Sequence, residues 1–394
     1  MLRFLTAGES HGPCLTAIVE GLPAGMAVDV GAVNCDLARR QGGYGRGGRM
    51  QIERDRVEIV GGVIAGRTTG APLALHIENR DWANWRERWA AGDLPRLSVP
   101  RPGHADYAGM VKYGLDDARP VLERASARET AARVAVGALA RQLLAAFGVA
   151  VGSYVVEIGG VVAAIPDLPP EELWALAEGS DVRCPDPDAA GGMRAAIDAA
   201  REAGDSLGGV FVVVATGVPV GLGSHVHWER RLDARLAAAV MSIPAIKGVE
   251  IGPAFENARQ PGTQVHDEFG EISKCGKSAN GEMGKWANGG QGEVGKVAFP
   301  AVGRTSNRAG GIEGGMSNGQ PIVVRAAMKP IPTTLTPLRS IDLATGEPAA
   351  TQYQRSDVCA VPAASVVGEA MVAWVLADAL LEKLGGDSVA EMQR

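Results

Sequence analysis

Apolar positions along the chain fall into two rhythms. Behind Ser126-Ala-Arg-Glu129, the residues Val136, Leu139, Leu143, Leu144 and Phe147 recur at helical spacing, and Gly148 supplies a stop. Ser126 and Glu129, three apart, predict a capping box in which the two side chains satisfy first-turn amides. A second helix is predicted over 364–384. It is apolar nearly all round through Met371, Trp374, Val375, Leu380 and Leu381, the pattern of a helix buried between layers or at a subunit contact. Shorter helices are predicted at 34–41, 171–178, 189–203 and 229–241, and strands at 15–20, 57–63, 151–162, 210–216 and 321–328. Few of these follow the short strand–helix–strand rhythm of a doubly wound sheet. The expected class is therefore α+β, with helices packed against antiparallel sheets. No stretch reads as a linker, so one large domain over residues 1–394 is expected.

One segment breaks both rhythms. Residues 268–304 are rich in Gly, Lys and small polar side chains, with near-repeats at Cys275-Gly-Lys277, Met283-Gly-Lys285 and Val294-Gly-Lys296. Such composition buries little and predicts an inserted surface loop or lid. Gly290-Gln-Gly292-Glu-Val-Gly295 matches G-x-G-x-x-G, and Gly290 through Lys296 matches most of a phosphate-binding loop. Neither follows a clear strand nor opens a clear helix, and Val297 stands where Ser or Thr would hold Mg²⁺. A kinase built on this loop is set aside.

Composition narrows the classes further. At 394 residues and 46% hydrophobic, the chain can bury a sizeable core. Its five Cys are odd in number, far apart and never C-x-x-C, which predicts reduced thiols and neither a disulfide framework nor a cysteine zinc site. The start reaches Gly8-Glu9 before any apolar core of signal-peptide length, and no uncharged apolar run reaches about 18 residues. A cytoplasmic protein with no membrane partner is expected. With 39 Lys+Arg against 45 Asp+Glu and only 5% aromatics, a nucleic-acid partner is disfavoured. The cations are 31 Arg and 8 Lys. Arg forks onto carboxylate and phosphate where Lys offers a point charge, so the placement of the arginines decides what the excess means.

Several placements carry chemistry. Gly8-Glu-Ser10-His11-Gly12 sets polar side chains between glycines, and His is the group whose proton moves near neutral pH. Arg39-Arg40-Gln-Gly-Gly-Tyr-Gly-Arg46-Gly-Gly-Arg49 leaves a short helix into a glycine-rich loop, where backbone is expected to fold around an anion. Asp36, Glu53 and Asp55 flank it, which favours a small polyanion over an extended nucleic acid. Arg101-Pro-Gly-His104-Ala-Asp106 puts a His on a turn, and Arg124 and Arg128 sit beside a helix N-terminus that favours anions. Asn307-Arg-Ala-Gly-Gly-Ile-Glu-Gly314-Gly-Met-Ser-Asn-Gly319 predicts positive-φ backbone near a flat ligand. Lys329-Pro330-Ile331-Pro332-Thr333 follows it, and Arg355-Ser-Asp357 reads first as a mutual ion pair. His225 and His227 share a strand face with no third ligand evident, so no metal is expected.

Taken in order, these motifs resemble those of chorismate synthases, and the resemblance runs from about residue 2 to 387. It implies conversion of 5-enolpyruvylshikimate 3-phosphate to chorismate by loss of phosphate and a C6 hydrogen, with reduced FMN (FMNH2) and no net redox change. It implies His11 as proton donor to the phosphate, His104 beside the flavin, and Ser10 and Asp357 managing protons near flavin N5. Arg40, Arg46, Arg49 and Arg101 would grip substrate anions. Arg124, Ala125, Ser126, Gly314, Lys329, Pro330, Ile331, Pro332, Thr333 and Arg355 match flavin-contacting positions. Arg40 and Arg46 also match positions that touch NADPH, the reductant of bifunctional members. The implied fold is a β-α-β sandwich with a helical layer between antiparallel sheets, assembled as a homotetramer. Two positions depart from the family: Pro244 replaces a frequent polar residue near the flavin, and Ala125 a common Ser.

Overall fold

Two helices meet at the centre of the molecule with almost nothing between them. In the computed structural model, which describes residues 1–270 and 302–394, the Thr130–Ala145 helix lies against Val361–Leu384. A Cβ at Gly137 would stand 2.3 Å from that of Ala370, so only glycine permits this approach. Gly368 does the same on the opposite side, where a Cβ would reach 2.6 Å from the Phe211 ring. Val361–Leu384 is long and apolar enough by length and composition to cross a membrane, yet 94% of its most apolar window is buried inside the protein. It opens with Pro362 in its first turn, ahead of the predicted start, where a missing N–H costs nothing.

Sheets close the two sides of this helical layer. One has the order Arg3–Ala7, Cys14–Glu20, Leu73–Glu78, Val57–Gly61, and every neighbouring pair is antiparallel. Its register sets Leu15 opposite Ile77, Ala17 opposite Leu75 and Val19 opposite Leu73, all buried against the helices. The other runs Ile246–Ile251, Ile322–Met328, Gly209–Thr216, Ala150–Ile158, Val161–Val162, also antiparallel throughout. Val30–Gln41 and Leu232–Met241 complete the middle layer. The result is the expected α+β sandwich, and one main core cluster extends from Leu2 to Met392.

Differences from the sequence pattern have local causes. The predicted 151–162 strand is a hairpin, because Gly159 and Gly160 both take positive φ (59° and 83°) and turn the chain in two residues. The capping box at Ser126 does not form. Ser126 Oγ accepts the Arg128 N–H at 3.3 Å to cap a short 3₁₀ turn, Ala127–Glu129. Glu129 turns away to accept from Thr6 Oγ1 (2.9 Å) and Arg133 Nε (3.0 Å), and a charge-assisted bond outweighs a neutral cap. Trp228–Arg230 is likewise a 3₁₀ turn split from the helix that follows. The strands Arg3–Ala7, Leu73–Glu78 and Ile246–Ile251 had no expectation attached. The loop or lid expected at 268–304, with its two decoy glycine motifs, lies almost wholly outside the described residues.

The layers are also pinned by charge. Glu369, in mid-helix and only 1% exposed, accepts from Arg39 Nη1 and Nη2 (2.8 Å each), Arg183 Nη2 (3.0 Å) and Ser153 Oγ (2.6 Å). Burial alone would raise its carboxyl, but Arg39, Arg141 and Arg183 hold it below the ordinary value. Arg39, the first cation of the arginine block, is thus structural. Glu369→Ala should remove the buried counter-charge these cations share, leaving them only Asp36 and Glu178, and cost about 3 kcal/mol in urea unfolding. Because the folded pKa is depressed, the wild-type contribution is complete above the unfolded Glu pKa. It disappears as pH falls through the folded value, so the variant should show a shallower acid limb.

Candidate active site

Ser10 and His11 are set by a tight turn between the first two strands. Gly8 takes φ +110°, and a Cβ there would lie 2.3 Å from the Cys14 carbonyl oxygen. Buried Asn79 holds the turn from beneath, donating from Nδ2 to the carbonyls of Gly12 (2.8 Å) and Glu9 (3.1 Å). His11 Nδ1 lies 2.9 Å from Glu123 Oε1, and the ring packs on Trp85 with centroids 4.2 Å apart. Ser10 is 2% exposed, and its Oγ accepts from Arg49 Nη1 at 2.7 Å.

A floor of arginines adjoins this turn. Arg128 gives Nη1 to both oxygens of Asp55 (2.6 and 2.7 Å) and Nε to Asn79 Oδ1 (2.8 Å). Arg40, 4% exposed, donates to Thr130 Oγ1 (2.9 Å) and the Ala127 carbonyl (2.8 Å), but its Nη1, 3.7 Å from Asp55 Oδ2, makes no hydrogen bond among the described residues. Burial pushes its pKa down to about 9, aided by Arg46 and Arg128 and opposed by Asp55 and Asp357. Nε of Arg46 and of Arg49 are also buried without partners there. Three guanidiniums with unspent donors call for an anion.

The glycines between these arginines do something other than expected. Rather than wrapping an anion, Gly43, Gly45 and Gly47 let the loop seat against 356–362. A Cβ at Gly47 would meet the Ser356 carbonyl at 2.5 Å, and the Gly47 N–H donates to Asp357 Oδ1 at 2.7 Å. Asp357 also accepts from Arg46 Nη1 at 2.6 Å, while Arg355 donates to buried Asp81 at 2.8 Å. The mutual Arg355–Asp357 pair is therefore not formed, since each finds a better partner across the cavity.

A second histidine faces the first group. His104 Nδ1 lies 2.5 Å from Asp106 Oδ1, and Arg101 Nε donates to the other oxygen at 2.9 Å. Burial would raise the Asp106 carboxyl, yet bonds from His104 and Arg101 hold it far below the usual carboxylate range. Arg101 Nη1 continues to Thr333 Oγ1 (3.1 Å), and Lys329 Nζ to the Gly103 carbonyl (2.6 Å), which joins this turn to the 329–333 segment.

These groups surround a cavity of about 670 Å³, well within the range of small-molecule sites. His11, His104, Ser10, Asp357, Arg40, Arg46, Arg49, Arg101, Arg355, Ala125, Ser126, Lys329, Ile331, Pro332 and Thr333 all line it. Pro244 does too, beside Ala245, whose φ of +68° is a conformation that costs a non-glycine residue energy. Arg124, Gly314 and Pro330 do not line it. Arg124 is spent on Thr6, donating to its carbonyl (2.8 Å) and Oγ1 (2.7 Å). Gly314 occupies the two-residue turn between Ile312–Glu313 and Met316–Ser317, at φ +58°. Trp85, Glu123 and Asp106 were not singled out from sequence as site residues. Asp106 and Glu123 stand within or beside quoted motifs, whereas nothing marked Trp85.

Fold and cavity together define an α+β enzyme whose small-molecule cavity is lined by arginines and two carboxylate-bound histidines. The chain belongs to the chorismate synthase family, whose family model matches residues 2–381. It is 55% identical over 399 residues to the chorismate synthase of Geobacter metallireducens, covering 100% of this chain and 97% of that one. It is 57% identical over 397 residues to that of Desulforudis audaxviator, covering 100% and 95%. A crystal structure of a chorismate synthase superimposes with a TM-score of 0.75 at 44% identity, covering 100% of this chain and 95% of the other.

Arg40→Met removes a buried cation while Thr130 Oγ1 still serves the Ala127 carbonyl at 2.6 Å. The melting temperature without ligand should stay level or rise. Calorimetric affinity for a phosphate-bearing ligand such as FMN or the enolpyruvyl substrate should fall about tenfold or more.

Proposed function

We propose that this chain catalyses the chorismate synthase reaction: 1,4-elimination of phosphate and the C6 hydrogen from 5-enolpyruvylshikimate 3-phosphate. One observation carries the proposal: arginines that keep buried, unbonded donors and two carboxylate-bound histidines line the same cavity. The substrate has two carboxylates and a phosphate, which suit Arg40, Arg46, Arg49 and Arg101. His11 gives a proton to the leaving phosphate oxygen. His104 would sit by the flavin and control protonation of its ring, and Ser10 and Asp357 would manage protons at flavin N5.

The residues present also suit a reduced flavin. Small apolar side chains, Ile243, Pro244, Ala245, Ala360, Ala363, Ala364 and Val367, offer flat surface, and Lys329 and Arg355 offer cationic ends. Ala125, Ser126 and Ile331 through Thr333 would border it. Reduced FMN, held there, would be a source of electron density for phosphate departure and an acceptor for the C6 hydrogen. The chain's own groups bind, orient and exclude water around that exchange. We further propose a cytoplasmic homotetramer, on the strength of the family resemblance. NADPH is the reductant if the chain recycles its own flavin, with Arg40 and Arg46 as its contacts.

Anaerobic protein with reduced FMN should release phosphate as chorismate absorbance grows, and oxidised FMN should support none. Phosphate release without any flavin would refute the flavin reading. His11→Ala and His104→Ala should each lower kcat by roughly 10²-fold or more with little change in KM. NADPH plus oxidised FMN, without an added reductase, should yield chorismate only if the chain reduces its own flavin.

A further inference from the structure

Glu123 does not border the cavity, yet it is tied to His11 at three points. Its Oε1 and Oε2 lie 2.9 and 3.1 Å from His11 Nδ1, and Oε2 accepts the His11 backbone N–H at 2.8 Å. Its own carbonyl accepts the Ser10 N–H at 3.1 Å, so one residue orients both ends of the Ser10–His11 step. The carboxylate is 1% exposed and reaches no substrate. Trp85 covers one face of the imidazole, and the Arg119 guanidinium lies 5.7 Å over the same indole. Ring plane and ring rotation are both set.

An ionised carboxylate only accepts hydrogen bonds, so the proton sits on Nδ1 and leaves Nε2 toward the cavity. We infer that Glu123 is the positioning residue of His11: it fixes the Nδ1–H tautomer and stabilises the cationic ring that delivers its Nε2 proton to the departing phosphate. This rests on the elimination reading of the cavity. In the step the Nε2–H bond breaks and an O–H bond to phosphate forms. The ring becomes neutral with Nδ1–H still on Glu123, and no electrons are gained or lost.

The charged groups facing the ring make the role selective. Arg119, on the same helix turn as Glu123, places Nη1 3.6 Å from the Glu123 carboxylate. Arg49 reaches the neighbouring Ser10 from the Arg49–Ile52 helix, and the Trp85 side presents no charge of its own. Both arginines are cationic, and Glu123 is the negative group bonded to the ring. Removing that negative charge should lower the ring's pKa rather than simply loosen the turn.

Glu123→Gln keeps the shape and removes the charge. Its kcat should fall by roughly 10²-fold with KM little changed, and the alkaline limb of the kcat profile should move about 1 pH unit or more toward acid. Glu123→Asp should restore the limb and part of the turnover. A readout without turnover is long-range ¹⁵N spectroscopy of histidine-labelled protein, with the His11 signal assigned by its loss in His11→Asn. Wild type should show the Nδ1–H tautomer when neutral, and Glu123→Gln an acid-shifted ring titration. An Nε2–H tautomer in wild type would overturn the inference. So would a Glu123→Gln protein whose ring titration and pH limb are unchanged, whatever its kcat. Wild type that releases no phosphate would sink the elimination reading alone, because the tautomer and titration still decide the role of Glu123.

Discussion

Positive charge kept out of water without full compensation is the constraint on which this structure turns. A cavity meant for a polyanion must hold guanidiniums in place before the anion arrives, and each one resists burial. Arg40, Arg46 and Arg49 tolerate it because carboxylates partly match them. Asp55 anchors Arg128 and lies 3.7 Å from Arg40, Glu53 meets Arg49 at 3.2 Å, and Asp357 meets Arg46. The matching is incomplete: donors on Arg40, Arg46 and Arg49 stay unbonded, and all three residues line one cavity.

The rest of the fold serves that arrangement. Glycines at 8, 45 and 47 exist for close backbone approach, which brings the arginine loop onto the segment carrying Arg355 and Asp357. The Glu369 cluster locks the helical layer with the same pairing of buried carboxylate and arginine, but with its bonds made and none of its members lining the cavity. One chemistry is thus used twice, closed where it is structural and open where it binds. Both histidines follow a parallel rule, since each gives Nδ1 to a buried carboxylate, Glu123 or Asp106.

Much of this was legible in the chain. The two long helices, the main strands and the residues that line the cavity follow from apolar spacing and from motifs held in order. What escaped was whatever depends on partners distant in sequence. Arg39 and Arg40 are adjacent and chemically identical, yet one faces Glu369 and the other the cavity. Arg124 looked like an anion contact and is spent on Thr6. Ser126 and Glu129 have capping-box spacing, but Arg133 and Thr6 claim the carboxylate.

Sequence alone determined the periodicities, the turn-forming glycine pairs, and the inventory of arginines, histidines and carboxylates. Those are local properties, set by backbone sterics and side-chain chemistry within a few residues. Tertiary structure decided which arginines keep a free donor, which carboxylate orients each histidine, and that Trp85 walls the site. These depend on pairings such as His11 with Glu123, 112 positions apart, and Arg46 with Asp357, 311 apart. Electrostatic partnership follows distance through the fold, and no spacing along the chain encodes it.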